Sequence, residues 1–145
     1  MESRDGWGLA QIRKVVADRS RVAPIARLLG AKVLSVEAGR VSVEFAVKEE
    51  FMHPGRAVQG GIIAAYADVC MALAAHTLLD RGEYLATSQL SISFISPVTR
   101  GPVVGEGHVV KRGRSTVFLE ASLRDLHGTE HARASSVGAI RRLKG

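Results

Sequence analysis

His53–Leu79 reads H-P-G-R-A-V-Q-G-G-I-I-A-A-Y-A-D-V-C-M-A-L-A-A-H-T-L-L, and this stretch decides the fold. A proline-and-glycine turn passes through Gly60-Gly61 into a run that is apolar on every side. From Ile62 to Leu79 only Tyr66, Asp68, Cys70, His76 and Thr77 interrupt it. A helix without a polar face is normally buried all round. At about 1.5 Å per residue this one is as long as a small domain is wide, yet short of a membrane span. It should end near Asp80-Arg81-Gly82. In its middle stands Asp68, a residue type that is costly to bury alone. Its carboxylate must be paired, hydrogen-bonded or held protonated.

Outside this helix the pattern changes period. Val33–Glu37 and Val41–Val47 alternate about an Ala38-Gly39 turn, which predicts a hairpin with one face inward. After Gly82 the chain reads as strand. Tyr84–Ile95 carries Leu90, Ile92 and Phe94 on one face and Ser91 and Ser93 on the other, until Pro97 stops it. Val103–Lys111, Thr116–Leu126 and Glu130–Arg141 follow, expected as a four-strand antiparallel meander. Upstream, residues 7–20 place Leu9, Ile12 and Val16 at helical spacing, and Pro24–Leu29 is a short helix stopped by Gly30. The fold class is α+β: one domain over residues 1–145, with N-terminal helices in 1–29 and a core in 30–142. A curved sheet of about six strands wraps the long helix on one side only. The rest of its apolar surface then needs a second copy of the chain, so a homodimer or a dimer of dimers is expected.

Composition narrows the function. The 145 residues carry a net charge of +6, a balance that favours polyanionic partners. The basic residues are scattered and no nucleic-acid-binding signature accompanies them, so a phosphorylated small molecule is the expected partner, with no nucleic acid and no membrane. The single cysteine, Cys70, excludes a disulfide within the chain. The polar start M-E-S-R-D-G-W-G shows no signal-peptide pattern, which makes cytoplasmic the default location.

Gln59-Gly60-Gly61 opens the long helix, where free backbone N–H groups and the helix dipole form a ready anion or oxyanion site. Asp68 lies eight residues further, about 12 Å along the same helix. One reacting carbonyl cannot lie within about 3 Å of both groups on a single chain. Two copies around a two-fold axis remove the difficulty, because the helix start of one can face the carboxylate of the other. If the two groups act together, their site lies between subunits.

The same residues resemble the hotdog-fold acyl-CoA thioesterases of the phenylacetate-pathway type, and are similar to the 4-hydroxybenzoyl-CoA thioesterases. His53-Pro54 stands where that family has Asn-Pro, Gln59-Gly60-Gly61 for its His-Gly-Gly, and Tyr66-Ala67-Asp68 for its Leu-Ala-Asp. Thr87–Pro97 resembles its strand of alternating small polar and aliphatic residues. The likeness spans about residues 30–142 and implies a hotdog fold and hydrolysis of acyl-CoA, with no metal and no redox cofactor. It implies that Asp68 attacks the thioester carbonyl or activates water, and that the Gly60 amide polarises that carbonyl. Thr87 would orient the water or carboxylate, and Gln59 and His53 would line the site. Gln59 in place of His can donate a hydrogen bond but cannot carry a proton; His53 in place of Asn can titrate near neutrality.

Substrate contacts are expected from Gly61 and Met52, with Val69, Leu73 and Ile95 lining the acyl pocket. Lys111, Arg112 and Arg114, with Arg141, Arg142 and Lys144, are the candidates for the coenzyme A phosphates. Two further readings stay open: a hotdog dehydratase or hydratase acting on acyl-thioesters, and a non-catalytic acyl-CoA-binding protein. His127 and His131 on a turn have no third ligand, so no metal is expected there.

Overall fold

The computed structural model describes residues 5–144. Three helices, α1 (Trp7–Ala17), α2 (Pro24–Leu28) and α3 (Gly60–His76), accompany six strands. These are β1 (Lys32–Glu37), β2 (Arg40–Phe45), β3 (Glu83–Phe94), β4 (Val103–Arg112), β5 (Thr116–Arg124) and β6 (Glu130–Arg142). All six join one antiparallel sheet in the order β1-β2-β4-β5-β6-β3, and α3 packs against it, the hotdog arrangement.

The expected four-strand meander is corrected: β4, β5 and β6 form one, but β3 pairs with β6 at the far edge. The segment 95–102 carries the chain back across the sheet to place β4 beside β2. Alternation reveals which face of a strand is buried but not which strand lies beside it, so period alone could not have shown this.

Alternation does fix the inner face. Val41, Val43 and Phe45 on β2, and Val117, Leu119, Ala121 and Leu123 on β5, are all buried beneath α3. On β4 glycine replaces the inward side chain at Gly105 and Gly107. A Cβ on Gly107 would collide with the Cys70 carbonyl and lie 3.0 Å from the Met71 amide nitrogen. The helix therefore lies directly on the strand backbone there. Tyr66 anchors it nearer its start: its ring stacks on Phe45 at 4.7 Å between centroids, and its hydroxyl donates to the Ala46 carbonyl at 2.8 Å. Burial pushes the Tyr66 phenol up to about 12, so it stays a donor.

Only half of α3 is covered. Ile63, Tyr66, Ala67, Cys70, Met71, Ala74 and Ala75 are buried. Gly61 is exposed, and Ala65, Asp68, Val69, Ala72, Leu73 and His76 are half-buried along the opposite side. Burial all round is thus not met within one copy.

The helix also stops earlier than expected, at His76. The Thr77 hydroxyl donates to the Ala74 carbonyl at 2.6 Å and accepts the Gly39 amide at 2.7 Å, tying the helix end to the β1–β2 turn. At the N-terminus α1 ends at Ala17 rather than Ser20, because Asp18 turns extended and its carboxylate caps a separate 3-10 turn, Arg19–Arg21. An ion cluster about the buried Glu83 ties the start of β3 to the ends of β4 and β6. Glu83 accepts Arg112 at 2.6 Å, Arg142 at 3.0 Å and the Asp80 amide at 2.8 Å. That amide, then the two guanidinium groups, hold its carboxyl below the usual range against the opposing effect of burial.

Candidate active site

The start of α3 is held from both sides. The Gln59 amide donates to the Phe51 carbonyl at 2.9 Å and the Val58 amide to the Val98 carbonyl at 2.8 Å. Gln59 is the N-cap residue, and its side chain caps nothing. Its carbonyl takes the Ile62 and Ile63 amides, while those of Gly60 and Gly61 find no acceptor among the described residues. Two free donors at the positive end of a seventeen-residue helix are what a developing oxyanion needs.

Gly60 adjoins a cavity of about 300 Å³ lined also by His53, Val58, Ile63, Phe94 and Ile95 among others. His53 is shaped by its own turn: its Nδ1 accepts the Gly55 amide at 2.9 Å, so Nε2 carries the proton in the neutral ring. Met52 bridges to Val58 at the mouth of that turn. Phe94, which sequence reasoning assigned only to a strand face, closes over Gly60. A Cβ on that glycine would lie 3.2 Å from the ring's Cζ. The ring itself is 56% exposed. Its signal was available: a large aromatic ending a strand just before Ser96-Pro97.

Asp68 stands apart from this cavity, half-buried on the uncovered half of α3. Its Oδ1 accepts the Thr87 hydroxyl at 3.0 Å. Thr87 reaches it from a β-bulge where the pairing shifts between Thr87 and Gln89; such a bulge re-aims a side chain. No ion pair reaches the Asp68 carboxylate among the described residues, so Thr87 is the group that orients it. The structure therefore brings Asp68 and Thr87 together, and His53 and Gly60 together. Within one chain the two halves remain separate.

The expected substrate contacts scatter. Lys111 is exposed on the outer face of the sheet beside Val110 and Phe118, in a cavity of about 380 Å³. Arg114 is exposed in the β4–β5 turn, whereas Arg112 is committed to Glu83 and is the poorest of the three for phosphate. Ile95 lines the cavity at the helix start, and Leu73 lines a different one near the other end of α3. Cys70 is fully buried and its thiol is pushed up by that burial, which leaves it inert. No group of three metal-ligating side chains occurs among the described residues. No helix among them is long and apolar enough to cross a membrane.

Comparison with known proteins bears on this geometry. The profile of the Thioesterase superfamily matches residues 56–132, which include Gly60, Asp68, Thr87 and Phe94. A Saccharolobus solfataricus protein named "Putative esterase" is 36% identical over 120 residues, covering 83% of this chain and 85% of its own. A Ralstonia eutropha structure titled "putative thioesterase, phenylacetic acid degradation-related protein" superposes with a TM-score of 0.83 at 25% identity, covering 88% of this chain and 97% of that one. The Escherichia coli PaaI protein of the phenylacetic acid degradation operon shares the fold, with a TM-score of 0.81 at 19% identity over 95% of each chain.

Proposed function

The chain belongs to the Thioesterase superfamily and is a thioester hydrolase, and from that premise we propose that it hydrolyses acyl-coenzyme A at a site built between two copies. The observation that carries the proposal is an oriented carboxylate, Asp68 with Thr87, on a helix whose free N-terminal amides it cannot itself reach. Facing the helix start of a second copy, the two halves complete each other.

In this reading the thioester carbonyl oxygen accepts the Gly60 N–H of one copy, with the exposed Gln59 amide group beside it. Asp68 of the other copy attacks the carbonyl carbon, or takes a proton from the water that does. The C–S bond breaks; water supplies the oxygen of the acid and the proton of the thiol. Thr87 keeps Asp68 aimed, and His53 lines the entrance. Gly61 and Met52 flank the thioester, and Lys111, Arg114, Arg141 and Lys144 are the cations left for the coenzyme A phosphates, since Arg112 and Arg142 are committed to Glu83.

Two features support the pairing of copies. β3 is an edge strand of twelve residues whose outer side pairs with no strand among the described residues, the kind of edge that accepts another strand. Ala64 lies midway between Gly60 and Asp68 on α3, and its neighbours on the uncovered half include Gly61 and Ala65. Two helices crossing at such small residues approach closely enough for one helix start to reach the other's carboxylate. A thiol-release assay over a panel of acyl-CoA esters tests the function. Asp68→Asn should lower kcat at least about a hundredfold in a folded protein. Full activity in that variant removes the assignment.

A further inference from the structure

Resting on that reading, we propose that the acyl group is an aliphatic chain, lodged in a cavity between the N-terminal helices and the C-terminal half of α3. The cavity holds about 420 Å³, within the size range of small-molecule sites. Its apolar walls are Ile12 and Val15 from α1, Val22 and Ala26 about α2, Val33 from β1, and Leu73 from α3. Every apolar lining residue is aliphatic, and the His76 ring is held back on its own helix by the Ala72 carbonyl, so the wall suits a chain of methylenes better than an aromatic acyl group. The polar lining residues are Arg19, Arg21, Lys32 and His76, with no carboxylate among them. Lys and Arg side chains of this kind can lay their stems on the wall and hold their charges in water.

The route from the reacting carbonyl is laid out on α3 itself. Ala72 lies one turn beyond Asp68 on the uncovered half, and its methyl leaves the way past it open. Leu73 lies about 7.5 Å along the helix from Asp68, and His76 one turn further. Both line the cavity. The His76 ring is turned back on its own helix, with Nδ1 donating to the Ala72 carbonyl at 2.7 Å, so it does not cross the route. A chain leaving the carbonyl towards the helix C-terminus therefore enters the cavity, while the thiol leaves towards the opposite end. This gives residues 7–29 a task, since without α1 and α2 the cavity has no outer wall.

The test compares acetyl-, octanoyl-, dodecanoyl- and phenylacetyl-CoA on the wild-type chain and on Ala26→Trp, which fills the cavity from α2. In the wild type kcat/KM should climb with chain length, by up to about fourfold per buried methylene, and dodecanoyl should exceed phenylacetyl. In Ala26→Trp the dodecanoyl-to-acetyl ratio should fall at least tenfold. A thioether, S-dodecyl-CoA, should bind the wild type at least tenfold more tightly than Ala26→Trp by calorimetry, a readout independent of turnover. If Ala26→Trp fails to fold, Val22→Phe takes its place in both measurements. Preference for the acetyl or phenylacetyl ester, or an unchanged ratio in the filled variant, overturns the cavity assignment while leaving the hydrolase standing. Absence of turnover on every ester strikes at the coenzyme A reading instead, and the thioether titration still decides the cavity.

Discussion

A site divided between two copies can be rebuilt from two broken ones. Asp68→Asn removes the proposed nucleophile or base and keeps the Thr87 hydrogen bond available to the amide oxygen. Gly60→Pro removes the other half, the backbone N–H. Gly60 is the first helical residue, where proline is well tolerated, and Gln59 before it is already extended at φ −56° and ψ 137°, as a residue preceding proline must be. The added Cβ meets only the outer end of the exposed Phe94 ring, 3.2 Å away, which can yield. Each homodimer should lose about a hundredfold or more in kcat, the usual consequence of deleting one oxyanion donor or the attacking group. Mixed in equal amounts and reassembled, half of the dimers carry one chain of each kind. In such a dimer one composite site has both defects and the other has none. Random assortment under two-fold symmetry therefore restores roughly a quarter of wild-type activity. The assay is thiol release from a mixed, co-refolded sample against the two unmixed ones, with size-exclusion chromatography to confirm exchange. If exchange occurs and activity stays at the unmixed level, Gly60 and Asp68 serve the same chain, and the divided site is wrong.

Other perturbations probe the supports of this arrangement. Thr87→Val deletes the hydroxyl that orients Asp68 and should lower kcat about tenfold with KM little changed, whereas Thr87→Ser should restore most of it. Steady-state kinetics check this, and equal rates in all three proteins would sever Thr87 from the mechanism. Glu83→Gln weakens the hydrogen bonds of the buried Glu83 to Arg112 and to the exposed Arg142, and the melting temperature should fall by roughly 3–9 °C. The pH dependence carries a sign. Because the folded-state value of Glu83 is depressed, its stabilisation is present above the ordinary value of 4.5 and is lost as pH falls through the depressed one. Acid titration of wild type against Glu83→Gln should thus show the gap in stability closing at low pH. Gly107→Ala drives a methyl into the Cys70 carbonyl and should destabilise by about 1–3 kcal/mol in urea unfolding. A neutral result would mean that α3 does not sit on β4 as described.

How much of this was written in the sequence depends on the kind of physics involved. Apolar residues around the whole of α3 announced a buried rod, and the period-two runs announced strands, because both patterns are local. The neighbour of β3 was not local: the chain after Pro97 could have turned straight back, and only the assembled sheet shows it crossing to β2. The end of α3 escaped for a related reason, since Thr77 stops it by gripping Gly39, thirty-eight residues away. The site divides in the same manner. The spacing of Gly60 and Asp68 along a rigid helix was enough to show that, if the two act on one carbonyl, they do so from different copies. The hydrogen bond from Thr87 required a bulge that no periodicity marks. Arg112 looked free beside Lys111 and Arg114 until Glu83, distant in sequence, was seen to hold it. What remains legible throughout is the mismatch between α3 and its sheet. The helix has apolar side chains on all sides, the sheet covers half of them, and the uncovered half carries the one oriented carboxylate. In the reading proposed above, a second copy covers that face and the chemistry lies where the two meet.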